Sequence, residues 1–161
     1  MCVLIEDTRQ KPSQHQMKHA YWTLSGVQVE RSKLIVGDYM FVGGLISVDT
    51  KKNIAELAMN VEQQHERFRK ELIKAQAIGV KLIILIENED GITDLETLKK
   101  WVNPRFWINK RKGIRPPIMG GRLSKACKTM QERYGVTFEF CTPEEAGQRV
   151  LDLLKEGVKN D

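Results

Sequence analysis

Residues Leu82, Ile83, Ile84, Leu85 and Ile86 form an unbroken apolar run between Lys81 and Glu87. Such a run suits a strand covered on both faces, inside a sheet with helices on either side. The segments around it fit that demand. The stretch 54–78 reads as one long helix stopped by Gly79, with Leu57, Val61, Phe68, Leu72 and Ala75 on its buried face. Short strands are expected at 3–5, 27–29 and 136–140, and helices at 14–24, 95–102, 122–134 and 143–155. Thr142 would cap the last helix, with Pro143 at its first position. The stretch 103–121, rich in Pro, Gly and basic residues, reads as a loop. Strands and helices alternate outside one central hairpin. The expected fold class is α/β, a mixed central β-sheet flanked by helices.

A chain of 161 residues suits one domain, 1–161, with one sizeable core. No apolar run approaches membrane-spanning length, and the N-terminus has no charged-then-apolar leader pattern. Cys2, Cys127 and Cys141 are odd in number and lack metal-type spacing, which argues against a disulfide framework and a zinc site. Cys127 and Cys141 read as small core residues. A cytoplasmic location is the expectation. His15 and His19 stand four apart, but no third ligand lies near them in sequence, so surface histidines are expected.

The central hairpin carries the chemistry. Leu34, Ile35 and Val36 lead into Gly37-Asp38, Phe41 and Val42 into the turn dipeptide Gly43-Gly44, and 45–48 return toward Asp49-Thr50-Lys51. An antiparallel return brings Asp49 back beside Asp38, and Asp49 and Lys51, two apart on a strand, share one face. Two carboxylates can hold a hard divalent cation, Mg²⁺ or Mn²⁺, and a neighbouring lysine places positive charge at a scissile phosphate. This spacing points to metal-dependent cleavage of phosphodiester bonds. Asp38 and Asp49 would be the metal ligands. Lys51 would orient or help deprotonate the attacking water and steady the charge on the phosphate. The plain alternative is two surface carboxylates beside a solvated Lys51-Lys52 pair.

The chain has 26 basic and 21 acidic residues, net +5, and the excess is local. The segment 97–131 holds ten basic residues and no acid, leaving 16 basic and 21 acidic residues elsewhere, net −5. Such asymmetry points to a polyanion partner. Lys110, Arg111, Lys112 and Arg115 are the candidate phosphate contacts. Trp101, Phe106 and Trp107 are interleaved with them, and exposed aromatics can stack on unpaired bases. Trp101 is expected in the core, whereas Trp107 is open between core and surface.

These motifs resemble the nuclease domain of XPF-type structure-specific endonucleases, within the restriction-endonuclease-like PD-(D/E)xK superfamily. That family carries Ile-x-Asp-x-Arg-Glu on its first strand, then Gly-Asp, a hairpin and Glu-Arg-Lys. Here Ile5-Glu6-Asp7-Thr8-Arg9-Gln10, Gly37-Asp38-Tyr39 and Asp49-Thr50-Lys51 stand in those places. Gln10 replaces an acid, Asp49 a glutamate and Thr50 an arginine. Glu56-Leu57 stands one residue out of place for the family's Asp-Leu, and Arg67-Phe68 and Leu85-Ile86-Glu87 resemble its later segments. The likeness is good over about 3–90, the metal-site core, and looser over about 91–161, the basic loop and C-terminal helices.

The resemblance implies a restriction-endonuclease-like core and Mg²⁺-dependent DNA hydrolysis at branched or flap structures, leaving a 5′-phosphate. It implies a third metal ligand in the Thr50 carbonyl and a homodimer. A stand-alone domain, of the kind phage and prophage genomes carry, is the expectation. Asp7 would join the metal cluster, Arg9 would clamp a phosphate through its bidentate fork, and both could instead be an ordinary turn. Glu56 is either an outer carboxylate or an acid suited to a helix N-terminus. Arg67 is either a phosphate contact or the partner of Glu71 four residues on. The runner-up function is a nuclease-fold DNA-binding module with weak or no catalysis in a recombination or replication assembly, favoured by Thr50 and Gln10. A nucleotide-binding α/β protein is disfavoured, because no glycine-rich loop follows the first strand.

Overall fold

The computed structural model describes residues 2–157. Its strands are β1 (Val3–Glu6), β2 (Gln28–Arg31), β3 (Tyr39–Phe41), β4 (Ile46–Lys51), β5 (Lys81–Glu87) and β6 (Thr137–Cys141). They form one sheet in the order β2-β1-β3-β4-β5-β6. The two pairings that β3 makes, with β1 and β4, are antiparallel, and the other three are parallel. The helices are α1 (Gln16–Leu24), α2 (Ile54–Glu62), α3 (His65–Ala77), α4 (Leu95–Leu98), α5 (Arg105–Lys112), α6 (Gly120–Tyr134) and α7 (Ala146–Glu156). No helix among the described residues is long and apolar enough to cross a membrane.

The apolar run of β5 divides between two cores, as a strand with both faces covered must. Leu82, Ile84 and Ile86 join Leu57, Phe68, Leu72 and Leu123 on the α2, α3 and α6 side. Ile83 and Leu85 join Trp22, Val48, Val150 and Leu154 on the α1 and α7 side. The sheet is therefore sandwiched between helices, as expected. Trp101, Cys127 and Cys141 are buried, also as expected.

Four expected elements differ. The helix expected at 95–102 is a single turn, Leu95–Leu98. The single helix over 54–78 is two, broken at Gln63 and Gln64, whose N–H groups both donate to Met59 O, at 2.8 and 3.1 Å. The side chain of Asn60 donates to Gln64 Oε1 across the break. No Pro or Gly marks it. The expected loop 103–121 contains α5. Pro104 occupies its N-cap and Gly113, at φ 66°, its C-cap, so the residues that read as loop formers are the helix's start and stop. The last helix starts at Ala146, after a turn in which Thr142 and Glu145 cap each other reciprocally.

Candidate active site at the β3–β4 hairpin

The register Tyr39↔Val48 places Asp38 and Asp49 across from each other at the open end of the hairpin. Asp38 N donates to Val48 O at 2.8 Å. Gly37 before it has φ 75°, and a Cβ there would lie 1.9 Å from Ser47 Oγ, so glycine is required by both backbone and space. Asp38 Oδ2 accepts from Thr50 N at 2.8 Å and from Thr50 Oγ1 at 3.2 Å. Thr50, which stands where the resemblance expects arginine, thus braces Asp38.

Asp49 and Lys51 share a face. Lys51 Nζ lies 2.9 Å from Asp49 Oδ2 as an ion pair, and the residues are 7% and 8% exposed. The ammonium is the close partner of this buried Oδ2, which accepts from no other donor. The Phe68 ring of α3 supports the ammonium from 5.5 Å. Burial alone would lower the Lys51 pKa, but the Asp49 charge and contact outweigh it and hold it above its ordinary value. Burial pushes Asp38 well above the usual carboxylate range, and the Asp49 charge pushes it further, against the Thr50 N–H and Lys51.

Asp7 is bonded differently. Its N–H donates to Asp38 O at 2.8 Å, tying the end of β1 to the hairpin. Its Oδ1 accepts from Leu34 N at 2.8 Å, and Oδ2 from Arg9 N and Nε at 3.1 and 2.6 Å. Burial would raise the Asp7 pKa, but these donors prevail and lower it. Asp7 therefore fixes Arg9, an exposed guanidinium whose pKa is also raised by the charges of Asp38 and Glu71.

A cleft of about 450 Å³ opens beside Asp38, Asp49 and Lys51, with Glu56, Lys18 and Glu87 in its wall. Glu56 lies at the helix start, as one reading expected, and lines the cleft. Its Oε2 accepts from Lys52 N at 3.0 Å. Arg67 is exposed beside a smaller cleft that also touches Lys51 and Glu71. Among the described residues it forms no ion pair, and Glu71 instead accepts from Gly37 N at 3.2 Å.

Sequence reasoning missed two residues here, Glu71 and Lys18. Burial and then the Asp49 charge raise the pKa of Glu71, which places a third acid near the pair. Lys18, 4% exposed, pairs with Glu87 at 2.7 Å, and its Nζ lies 3.2 Å from His15 Nδ1. Burial, then Lys18, pushes His15 down to about 4. His19 Nε2 lies 2.8 Å from Glu6 Oε2. The two histidines are half-buried, each with its own partner, rather than the surface residues expected. Only the i, i+3 spacing of His15 and Lys18 hinted at any of this.

Lys110, Arg111 and Lys112 occupy the last turn of α5, where positive charge also suits the helix dipole, and Arg115 follows Gly113. All four are exposed and none lines the 450 Å³ cleft. Trp107 is 59% exposed, with Lys110 Nζ 5.4 Å from its ring centroid.

The donor set suits a hard divalent cation. Among the described residues no group of three His, Cys, Asp or Glu side chains converges closely enough to enclose an ion. Mg²⁺ needs none, since one or two carboxylates suffice and water or substrate phosphate completes its shell. The burial of Asp38 and the Asp49 charge beside it are what a cation between the two acids would relieve.

No family model and no curated protein sequence matches this chain. Solved structures do. XPF from Aeropyrum pernix matches with a TM-score of 0.63 at 18% identity, over 98% of this chain and 65% of that one. XPF from Aeropyrum pernix in complex with DNA matches with a TM-score of 0.66 at 19% identity, over 99% and 66%. The chain spans just under two thirds of their length. At such identity the likeness is one of fold, and the fold of this chain is that of the XPF structures.

Proposed function

We propose that this chain is a Mg²⁺- or Mn²⁺-dependent DNA endonuclease that hydrolyses phosphodiester bonds at branched or flap structures. The observation that carries the reading is the paired carboxylates Asp38 and Asp49 across the hairpin, with Lys51 Nζ 2.9 Å from Asp49 Oδ2. An ion held there by Asp38, Asp49 and the Thr50 carbonyl would supply Lewis-acid polarisation of the phosphate and acidify a water. Lys51 orients that water and places its charge on the phosphate oxygen that gains charge. Arg9, fixed by Asp7, holds a neighbouring phosphate oxygen. Arg67 and the basic face of α5 take more distant phosphates. The fold shared with an XPF structure in complex with DNA supports DNA as the substrate. A 5′-phosphate product and a homodimer complete the proposal.

A second reading, a DNA-binding module with weak or no catalysis, draws on Asp7, whose two oxygens are already committed to Leu34 and Arg9. One experiment separates them. Labelled flap, fork, four-way-junction and linear DNAs are incubated with the protein in Mg²⁺, Mn²⁺ or EDTA, beside Asp49→Asn. The nuclease reading expects metal-dependent cuts near branch points, absent with Asp49→Asn. Binding with no cuts in either metal selects the second reading.

A further inference from the structure

The 450 Å³ cleft does not end at the carboxylates. A second cleft, about 580 Å³, shares Gln14, Lys52 and Glu56 with it and runs between α2 and α5 past Arg105. A third, about 560 Å³, shares Glu62, Gln63, Asn109 and Pro117 with the second and reaches Arg115 and Arg122. The three abut in one direction, from the acid pair to the start of α6.

Four cations mark this path: Lys52, Arg105, Arg115 and Arg122. Among the described residues, none of their side chains enters an ion pair or an intramolecular hydrogen bond, in a protein whose buried cations Lys18 and Lys51 are both paired. The acids lining the two outer clefts are Glu56 and Glu62. Glu56 is already engaged by Lys52 N. Asn109 lines both outer clefts and is 8% exposed; its Nδ2 donates to Arg115 O, and its Oδ1 has no partner. Ile114 and Pro117 add apolar surface.

Clefts of this volume are the size of small-molecule sites. Each has room for a nucleotide unit of one strand. Spaced free cations beside apolar surface are what a single strand needs, phosphates on the charges and bases on the apolar side. We infer that this groove is a track for an unpaired DNA strand leading to or from the Asp38–Asp49 centre. The inference rests on the nuclease reading for its direction and gives the branched substrate a physical form: the unpaired arm lies in the groove while the duplex stays outside.

The test avoids catalysis. Fluorescein-labelled oligo-dT of about 4 to 16 nucleotides is titrated in EDTA by anisotropy at several salt concentrations. The proteins are wild type, Arg115→Gln/Arg122→Gln, and the control Lys125→Gln/Lys128→Gln, which removes the same charge from exposed positions of α6 outside the groove. All four residues are exposed, and thermal melts check each fold. Wild-type affinity should rise with length and then level off, with blunt duplex competing more weakly. The groove variant should shed about 0.7 per phosphate, about 1.4 in all, from the slope of log affinity against log salt, and most of the length dependence. The control should keep both. Equal losses in both variants, or duplex competing as well as single strand, overturns the track. Binding as inferred, with no cleavage of any DNA in Mg²⁺ or Mn²⁺, would leave the track standing and remove the nuclease reading. Cleavage with the groove variant matching the control would do the reverse.

Discussion

Thr50 donates both its backbone N–H and its hydroxyl to one oxygen of Asp38, at 2.8 and 3.2 Å. The residue between the acid and the lysine of the hairpin therefore aims the partner acid across the sheet. Outer groups that orient metal ligands are worth about 10–100-fold in metal affinity when removed. Thr50→Val keeps the N–H bond and deletes the hydroxyl, so the Mg²⁺ concentration for half-maximal cleavage should rise about tenfold. Thr50→Ser should restore it. An unchanged Mg²⁺ dependence in the valine variant would reduce Thr50 to a strand residue.

Lys51→Ala should lower turnover about a hundredfold or more while leaving the Mg²⁺ midpoint near wild type, because in the proposed function its ammonium serves the water and phosphate. Single-turnover cleavage against Mg²⁺ concentration separates the two. A shifted midpoint with the maximal rate kept would mean that Lys51 chiefly tunes Asp49.

Asp38 carries a pH signature. Its folded pKa is raised by burial and by Asp49, so the folded chain holds a proton that the unfolded chain releases. Unfolding free energy then falls as pH rises from the ordinary carboxylate range up through the raised value. The metal-free protein bears this cost above that window, and Asp38→Asn removes it. In EDTA, the variant should gain thermal stability relative to wild type at pH 8 and lose that advantage toward pH 4. A difference in Tm that is constant across pH would contradict the strained acid pair.

Neutralising Lys110, Arg111 and Lys112 together, at the exposed end of α5 outside the groove, should flatten the salt dependence of duplex binding by about 0.9 for each phosphate that these side chains neutralise in the wild type. Anisotropy with a labelled duplex at several salt concentrations measures it. An unchanged slope would make the exposed end of α5 a solvated surface.

The sheet was legible because strand patterns are local. The run 82–86 announced a strand with two covered faces, and Gly43-Gly44 set a hairpin whose register brings Asp38 and Asp49 together. Helix ends were harder. Pro104 and Gly113 read as loop formers because the same residues punctuate helices, and the break at Gln63–Gln64 has no sequence mark. Glu71 and Lys18 reach the site through the packing of α3 and α1 on the sheet, which no local pattern encodes. Asp7 was found as a position, but its bonds to Leu34 and Arg9 depend on how the 31–36 segment folds back.

The most direct test of the account is a flap-cleavage assay with wild type and Asp49→Asn across a Mg²⁺ titration, paired with DNA binding in EDTA. Asparagine keeps the shape of Asp49 and removes the negative charge that the proposed cation and Lys51 both need. The account predicts Mg²⁺-dependent cleavage by wild type, a loss of about a thousandfold or more in the variant, several kcal/mol of transition-state stabilisation, and binding in EDTA within about twofold of wild type. Near-normal cleavage by Asp49→Asn, or wild-type cleavage unaffected by EDTA, would contradict it.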